Sequence, residues 1–263
     1  MNVICSMKNI ISFTSFFHEL LDLARDTIRP VYFSPDLVVE SKADDTPVTF
    51  ADRETERVLR ERIEAKYPQH GIIGEEFGNA REDAEFVWVL DPIDGTKSFV
   101  GGVPLFGTLV ALLQNGQPIL GAIDQPILDQ RIIGDGKVTH LNGQPVLLRK
   151  PSTLDRATLL TTDPLEPAKR HDSAGWEKLI SQVHLYRTWG DCYGYLLLAS
   201  GKADIMVDPI VEKWDLLSLI PIIRGAGGVI TDWHGGDPVV GNSIVAAHPD
   251  LHGKILSLLN SIE

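Results

Sequence analysis

An apolar run that ends directly in two carboxylates is the feature that most constrains what this chain can fold into. Residues 86–90 are apolar and predict a buried strand. The six residues that follow are Asp91, Pro92, Ile93, Asp94, Gly95 and Thr96. Proline fixes its φ angle and glycine permits backbone conformations closed to other residues, so the chain can turn sharply here. We therefore expect both aspartates to point into one space at the end of a strand.

Two neighbouring carboxylates repel each other, and either protonation or a divalent cation relieves that repulsion. Ligands that are all oxygen favour Mg²⁺, Mn²⁺ or Ca²⁺ over zinc. Taken alone, the segment is also compatible with an ordinary turn, because Asp-Pro and Asp-Gly are common turn formers. Two further segments favour a metal site, although each alone is also typical of an exposed acid or a helix cap. Gly74-Glu75-Glu76 follows another apolar run, and Trp214-Asp215 opens an apolar helix.

Charge, cysteine content and hydropathy exclude several functions. A formal charge of −12 is a poor match to a nucleic-acid surface, which needs clustered lysines and arginines, and a carboxylate cluster could bind an anionic ligand only after cations had reversed the local charge. Cys5 and Cys192 are too few for a disulfide framework, which fits a reducing cytoplasm. No apolar run approaches the roughly 20 residues that span a bilayer. The N-terminal region also lacks the features of a secretion signal. We therefore expect a cytoplasmic protein with no nucleic-acid or membrane partner.

Hydrophobic periodicity predicts an α/β chain whose first half carries a partly antiparallel sheet. With 263 residues, 43% of them hydrophobic, the chain suffices for one large domain or two modest ones. Amphipathic helices are expected at residues 16–28 and 52–67, the second ended by Pro68. Asn115-Gly116 favours a tight reversal between two strand-like runs. The expected strands of this half are residues 71–74, 86–90, 108–113, 119–123 and 131–133.

Beyond residue 150 the pattern predicts a second, mixed α/β half. Pro221 is expected to kink or shorten the helix in which it lies. No internal repeat or long linker separates residues 1–150 from residues 151–263, so we expect two halves that pack closely as layers. The expected strands are residues 158–162, 183–186, 228–231 and 243–247. The expected helices are residues 174–181, 193–200, 214–224 and a last one from residue 250.

The three acidic segments occur in the order of a known signature. Gly-Glu-Glu, then Asp-Pro-Ile-Asp-Gly-Thr, then a distant Trp-Asp resembles the inositol-monophosphatase-like superfamily, and the resemblance runs from about residue 15 to the C-terminus. It implies an α/β (α+β) fold, the layered α-β-α-β-α sandwich of the inositol monophosphatase/fructose-bisphosphatase type. It also implies a homodimer and a Mg²⁺-dependent phosphomonoesterase. Two or three Mg²⁺ ions per active site and inhibition by Li⁺ are part of this expectation.

The resemblance assigns roles around the metal ions. The first half of the chain would carry most metal ligands, and the second half the last ligand and the substrate contacts. Glu76 would lie outside the direct ligands, either orienting one of them or as an ordinary surface acid. The implied ligands are Glu75, Asp91, the Ile93 carbonyl oxygen, Asp94 and Asp215, with Asp91 shared between two ions.

A catalytic group and a phosphate site are implied in the same way. Asp52 follows Thr49 by three residues and matches a Thr-x-x-Asp segment before the second helix, although a helix N-cap explains either residue equally well. By resemblance, Asp52, Thr96 and Glu75 are the catalytic residues, with Asp52 and Thr96 orienting and helping to deprotonate the attacking water. The backbone N–H groups of Gly95 and Thr96 would face the substrate phosphate at the start of a helix. Lys97 would assist there, or it is an ordinary solvated lysine.

The segments around the motifs resemble the histidinol-phosphatase branch of the superfamily. They are residues 94–99, 104–109, 123–126 and 190–193. The resemblance implies hydrolysis of L-histidinol phosphate to L-histidinol and phosphate. An inositol-1-phosphatase or a 3′-phosphonucleotide phosphatase is the alternative within the superfamily. A non-catalytic metal-dependent regulator is the alternative from another class.

Substrate contacts are implied at both ends of the site. Arg187 would contact the substrate, or it forms a surface ion pair. Asp191 and Asp208 would face the organic half, because acidic groups favour a cationic substrate over a neutral polyol, although Asp191 could instead cap a helix. Trp189 and Asp208 differ from the residues commoner in the branch. Asp94 and Asp215 would border the substrate as well. We assign no role to His140, His171, His184, His234 and His248.

Overall fold

The computed structural model describes residues 2–35, 38–41, 47–150, 153–171 and 173–260, with the side chains of residues 2–11, 41 and 47 outside the description. The helices are α1 Asn2–Tyr32, α2 Phe50–Lys66, α3 Thr96–Val100, α4 Glu166–Arg170, α5 Ser173–Gln182, α6 Asp191–Ala199, α7 Lys213–Gly225 and α8 Pro249–Leu259. The strands are β1 Val39–Ser41, β2 Pro47–Thr49, β3 Gly71–Gly74, β4 Gly78–Ala80, β5 Phe86–Asp94, β6 Gly107–Gln114, β7 Gln117–Gln125, β8 Gln130–Gly134, β9 Thr139–Leu141, β10 Gln144–Val146, β11 Thr158–Leu160, β12 Leu185–Arg187, β13 Ile205–Asp208, β14 Val229–Thr231 and β15 Ile244–Ala247.

Two large sheets organise most of these elements, and β1 and β2 form a separate two-stranded antiparallel sheet. The larger sheet has eight strands in the order β10-β9-β8-β7-β6-β5-β3-β4, and the smaller has five in the order β12-β11-β13-β15-β14. In the larger sheet β3 and β5 run parallel, and the other neighbours are antiparallel. In the smaller sheet β11 is parallel to both neighbours, whereas β15 is antiparallel to both of its own.

The reversal predicted at Asn115-Gly116 joins β6 to β7. Asn115 and Gly116 have φ angles of 50° and 77°, which tight hairpin turns require and which these two residue types tolerate. Gln114 pairs with Gln117 across the turn. The prediction of a partly antiparallel first sheet is therefore confirmed.

Side-chain alternation along β5 divides the core into layers. Trp88 and Leu90 pack with the apolar faces of α1 and α2, whereas Val87 and Val89 pack with α6 and α7. The smaller sheet covers the other side of α6 and α7, and its outer face packs against α5 and α8. The layers are thus α1/α2, larger sheet, α6/α7, smaller sheet and α5/α8. This order confirms the α-β-α-β-α sandwich.

Two helices differ from their predicted extents. The helix expected at residues 16–28 is α1, which begins already at Asn2 and continues to Tyr32, where the Tyr32 ring packs against Phe99 and Phe106. The helix α7 continues past Pro221 and is not shortened by it. Residues 216–223 are all buried between the two sheets, and this packing outweighs the missing N–H group.

The remaining differences are small. The strand expected at residues 183–186 is β12, which begins at Leu185. The sequence patterns did not predict five short strands, which are β1, β2, β4, β9 and β10. No helix in the described part of the chain is long and apolar enough to cross a membrane. The division at residue 150, which falls between β10 and β11, stays a prediction.

Candidate active site

The end of β5 brings together two aspartates that a regular strand would separate. Side chains three residues apart on a regular strand point to opposite faces. The pairing of β5 with β6 is interrupted between Asp91 and Asp94, and it resumes where Asp94 pairs with Gly107. Gly95 follows with a φ angle of 85° and leads into α3. This bulge-like irregularity re-aims the side chains, so both carboxylates reach the same space.

Asp215 approaches the same space from α7. It lies in the first turn of that helix, where its Oδ2 accepts the Glu212 N–H at 3.1 Å. Carboxylate oxygens of Asp91, Asp94 and Asp215 all lie within 4.8 Å of one another. We call these three residues the acidic cluster. Their spacing allows one cation to contact all three.

Burial and mutual repulsion make the acidic cluster costly on its own. Burial, and then the charges of Glu75, Asp94 and Asp215, raise the pKa of Asp91 well above its usual range. Burial is also the main cause that raises the pKa of Asp94 well above its usual range and the pKa of Asp215 to about 7. Asp91 is 2% exposed, and its Oδ1 has no hydrogen-bond partner among the described residues. A buried carboxylate oxygen without a donor fits a cation ligand.

Glu75 lies beside the cluster because of strand register. Gly74 of β3 pairs with Leu90 of β5 in the parallel ladder, so the next residues, Glu75 and Asp91, are neighbours at the same edge of the sheet. The charge of Glu75 adds to the effect of burial in raising the pKa of Asp91, and it also acts on Asp52 and Asp215. The sequence separation of 16 residues between Glu75 and Asp91 is therefore closed by one parallel pairing.

Asp52 takes part in the helix cap that was one of its two interpretations, and its second carboxylate oxygen faces Thr96. Its Oδ2 accepts the Thr49 N–H at 2.7 Å and the Thr49 hydroxyl at 2.6 Å, which forms the capping box of α2. Its Oδ1 lies 3.4 Å from Thr96 Oγ1, which also lies 3.0 Å from the Ile93 carbonyl oxygen. Burial raises the pKa of Asp52, and the bonds from Thr49 partly offset that rise. The capping box thus fixes a carboxylate that faces Thr96.

A small cavity of about 80 Å³ adjoins the acidic cluster. Asp208 is buried in its wall, where Oδ1 accepts the Thr162 N–H at 2.8 Å and Oδ2 accepts the Tyr195 hydroxyl at 2.7 Å. Thr161 Oγ1 lies 3.3 Å from the same Oδ1. Burial raises the pKa of Asp208, and these hydrogen bonds lower it. The residues that line the cavity are Asp94, Thr162, Asp191, Tyr195, Asp208, Ile210, Val211, Asp215 and Leu219.

Asp191 enters the cavity from the start of α6. Its φ angle is 49°, its N–H donates to Thr162 Oγ1 at 2.9 Å, and Gly190 is the N-cap residue of the helix. Burial, and then the charge of Asp208, raise the pKa of Asp191 to about 7, while Lys97 lowers it. Asp191 therefore does not act as the helix cap that was one of its two interpretations. Among the described residues, no donor is hydrogen-bonded to its carboxylate.

Arg187 is one of the predicted substrate contacts that do not line this cavity. Its side chain is exposed, and Nη1 donates to the Tyr186 carbonyl oxygen at 2.7 Å. Lys97 is also exposed, and it acts on the site through its charge near Asp191. The five histidines without an assigned role do not line the cavity; His171, for example, stacks on Trp233 with ring centroids 4.1 Å apart.

Sequence reasoning missed three contacts of the site. The Cys192 N–H donates to Asp94 Oδ2, and Thr162 and Tyr195 hold Asp208. The separation of four residues between Asp191 and Tyr195 places both on one helix face, and this spacing could have identified Tyr195. No sequence spacing identifies Thr162, because this residue follows β11 and only the tertiary fold brings it to the site.

A larger cavity of about 490 Å³ lies between α1 and the β7–β9 end of the larger sheet. It shares no residue with the acidic cluster, and its two arginines are already paired. Arg25 and Arg131 both contact Asp124, and they also bind Asp129 and Asp22, respectively. The chemistry indicated by the sequence therefore belongs to the smaller cavity beside the acidic cluster.

Comparison with known proteins places the chain in a family. The sequence profile of the Inositol monophosphatase family matches residues 12–263. The chain belongs to this family. It is 45% identical over 229 residues to the bifunctional phosphatase IMPL2, chloroplastic, of Arabidopsis thaliana, covering 85% of this chain but only 65% of that protein. It is 38% identical over 237 residues to a histidinol-phosphatase of Chlorobaculum parvum, covering 86% of this chain and 88% of that protein.

A solved structure shows the same fold. An inositol monophosphatase from Zymomonas mobilis superimposes with a TM-score of 0.81 at 38% identity, covering 92% of this chain and 95% of that one. Fold, family and acidic cluster together define a metal-dependent phosphatase.

Proposed function

We propose that this phosphatase hydrolyses L-histidinol phosphate to L-histidinol and phosphate with Mg²⁺. The observation that carries the proposal is the position of Asp191, a half-buried acid without a hydrogen-bond donor in the described residues, in the cavity beside the acidic cluster. Such a group suits a cationic organic half. The similarity to the histidinol-phosphatase of Chlorobaculum parvum supports the same substrate.

The proposed Mg²⁺ ligands all present oxygen atoms. The orphaned Oδ1 of Asp91 and the crowding within the acidic cluster fit a hard divalent cation. The Ile93 carbonyl oxygen can contribute as well, because a carbonyl has a second lone pair beside the one facing Thr96. When bound, two or three Mg²⁺ ions supply charge stabilisation to the phosphate oxygens and acidify the attacking water. The ligand set is Glu75, Asp91, Ile93, Asp94 and Asp215.

Asp52 and Thr96 are proposed to move the proton. The Thr96 hydroxyl has one hydrogen, which it can donate to Asp52 Oδ1, and its lone pairs then accept a hydrogen from the attacking water. Asp52 holds the proton at Oδ1, since burial raises its pKa and makes it a better base than an exposed aspartate. Glu75 would orient the water from the side of Asp91.

The phosphate and the organic half would occupy opposite ends of the site. The N–H groups of Gly95 and Thr96, with Lys97, are proposed to face the phosphate. Arg187 uses one of its five N–H groups on Tyr186, and the remaining ones are proposed to bind the substrate. Asp191 would bind the ammonium or imidazole group directly.

Asp208 has a different proposed task from Asp191. Its two oxygens already accept hydrogen bonds from Thr162 and Tyr195. It would therefore hold the cavity wall in place and add negative charge, while Asp191 makes the direct contact. This division predicts that the two aspartates differ in their effect on substrate preference.

A second candidate substrate is inositol 1-phosphate, and the 38% identity to a protein named as an inositol monophosphatase from Zymomonas mobilis supports it. A non-catalytic regulator is disfavoured because the ligands and the Asp52–Thr96 pair are all present. Inhibition by Li⁺, a homodimer and a cytoplasmic location are further parts of the proposal. The Arabidopsis thaliana relative is chloroplastic by name, so location is tested separately by fractionating the native cells.

The test compares kcat/KM for histidinol phosphate, inositol 1-phosphate and 3′-phosphoadenosine 5′-phosphate under identical Mg²⁺ conditions. Histidinol phosphate should be preferred, because one charged hydrogen bond contributes about 1.5–3 kcal/mol, or roughly ten- to a hundredfold. The variant Asp191→Asn should erode that preference and leave the turnover of an aryl phosphate nearly unchanged. Inositol 1-phosphate as the best substrate, or equal losses on all substrates, would overturn the histidinol assignment.

A further inference from the structure

A fully buried carboxylate outside the acidic cluster binds the segment that carries Glu75. Glu56, in the second turn of α2, is 0% exposed. It accepts the Glu76 N–H at 2.7 Å and the Phe77 N–H at 3.1 Å. Arg60, one turn later, donates from Nε to the same carboxylate at 2.7 Å. A buried charge is tolerated when it is paired and hydrogen-bonded, and here its partners are two amides that immediately follow Glu75.

Arg60 extends this contact to the far side of the turn. Its Nη2 donates to the Gly78 carbonyl oxygen, and Gly78 is the first residue of β4. Residues 75–77 connect β3 to β4, so the Glu56–Arg60 pair binds both the middle and the end of this connection. On the other side, the Glu75 N–H donates to the Leu90 carbonyl oxygen at 3.3 Å. The backbone around Glu75 is therefore held from α2 and from β5.

Gly74 is required by the same arrangement. A Cβ atom at this position would overlap the Glu56 carboxylate and lie 2.6 Å from Arg60 Nη2. Its backbone is not in the left-handed region, so the glycine is needed for space and not for conformational freedom. This close approach explains why a glycine precedes the two glutamates. Any larger residue would push the Glu56–Arg60 pair away from the turn.

We propose that the buried Glu56–Arg60 pair is a positioning device that fixes the turn after β3 so that Glu75 faces Asp91 and the metal. The inference rests on the proposed role of Glu75 as a ligand. Glu56 and Arg60 do not touch substrate or metal themselves. They hold the backbone from which one ligand projects, and ligands are most effective when their orientation is fixed before the cation binds.

The experiment titrates chelator-treated protein with Mg²⁺ by calorimetry and follows turnover against Mg²⁺ concentration. Glu56→Gln removes the charge that accepts two amides, and Gly74→Ala displaces the same carboxylate without removing it. For each we expect the Mg²⁺ dissociation constant to rise about 10- to 100-fold, the range typical of groups that orient metal ligands. The kcat at saturating Mg²⁺ should stay within about threefold of wild type, because the ligands and the proton-transfer pair are intact.

Glu61→Gln is the matched control. Glu61 lies on the same helix and also pairs with an arginine, Arg57, but it is exposed and contacts no part of the turn. Its removal should leave Mg²⁺ binding unchanged. If a general loss of α2 stability were the cause, Mg²⁺ binding would instead weaken in all three variants in proportion to the fall in their unfolding temperatures.

The variant Glu75→Gln distinguishes a failure of the proposed ligand role from a failure of the positioning role alone. If Glu75→Gln binds Mg²⁺ like wild type, the proposed ligand role fails and the inference fails with it. If Glu75→Gln binds weakly while Glu56→Gln and Gly74→Ala bind like wild type, the positioning role alone is wrong. Should both of these variants fail to fold, amide hydrogen exchange in the wild type decides. Slow exchange at Glu76 and Phe77 without metal is expected, and fast exchange would overturn the proposal.

Discussion

Two buried aspartates of this protein, Asp124 and Asp91, lie in opposite electrostatic environments. Asp124 is 1% exposed and is bound by two arginines, with Arg25 Nη2 at 2.8 Å and Arg131 Nε at 2.6 Å. Asp91 is 2% exposed, contacts no arginine or lysine of the described part of the chain, and faces Glu75, Asp94 and Asp215 instead. Asp124 is thus paired with cationic side chains of the protein itself, whereas the equally buried Asp91 is surrounded by further acids. The comparison indicates that the acidic cluster is built for a cation that comes from solution.

The largest expected effect is on catalysis at the acidic cluster. Asp94→Asn removes one ligand charge and preserves size, so the fold should persist while kcat falls by a factor on the order of 10²–10³. Steady-state kinetics with saturating Mg²⁺, together with circular dichroism, measures both. Asp124→Asn serves as the comparison, since it should affect stability more than kcat in the folded fraction. A folded Asp94→Asn enzyme with near-normal kcat would remove Asp94 from the proposed site.

The second expected effect is a difference between Asp124 and Asp91 in how their substitution changes the free energy of unfolding. Asp124→Asn leaves two guanidinium groups without their shared carboxylate, and we expect the free energy of unfolding to fall by about 3 kcal/mol. Asp91→Asn in the presence of chelator removes repulsion, so its free energy of unfolding should equal or exceed that of wild type. Urea denaturation at pH 8 compares them. The account is contradicted if both substitutions destabilise the metal-free protein equally.

A smaller effect is expected from pH. Burial raises the pKa values of Asp191 and Asp215 to about 7 in the folded protein, above the ordinary aspartate value of 3.8. The folded state therefore binds more protons than the unfolded state between these values, and the resulting stability is lost as pH rises through about 7. With chelator present, the unfolding temperature should fall from pH 5 to pH 8, and saturating Mg²⁺ should abolish much of that fall. Asp215→Asn should flatten the profile measured without metal.

Sequence patterns predicted most of the larger elements and the acidic residues at the end of β5, because both depend on local features. The apolar run into Asp91 is visible in consecutive residues, whereas the joining of the distant acidic segments and the order of the layers came from the family resemblance. The irregularity between Asp91 and Asp94 is not visible, because it arises from pairing with β6. The Glu56 contact is equally hidden, since an acid inside an amphipathic helix is typical of an exposed position. Such contacts depend on tertiary packing, which periodicity alone does not encode.

The dependence of histidinol phosphate hydrolysis on Mg²⁺ tests the central claim most directly. The protein is dialysed exhaustively against chelator, assayed on histidinol phosphate, and assayed again after Mg²⁺ is restored. We expect turnover to disappear without the cation and to return with Mg²⁺, because the proposed ligands are the oxygens of Glu75, Asp91, Ile93, Asp94 and Asp215. Full turnover in the chelated protein would contradict a catalytic site built on the acidic cluster.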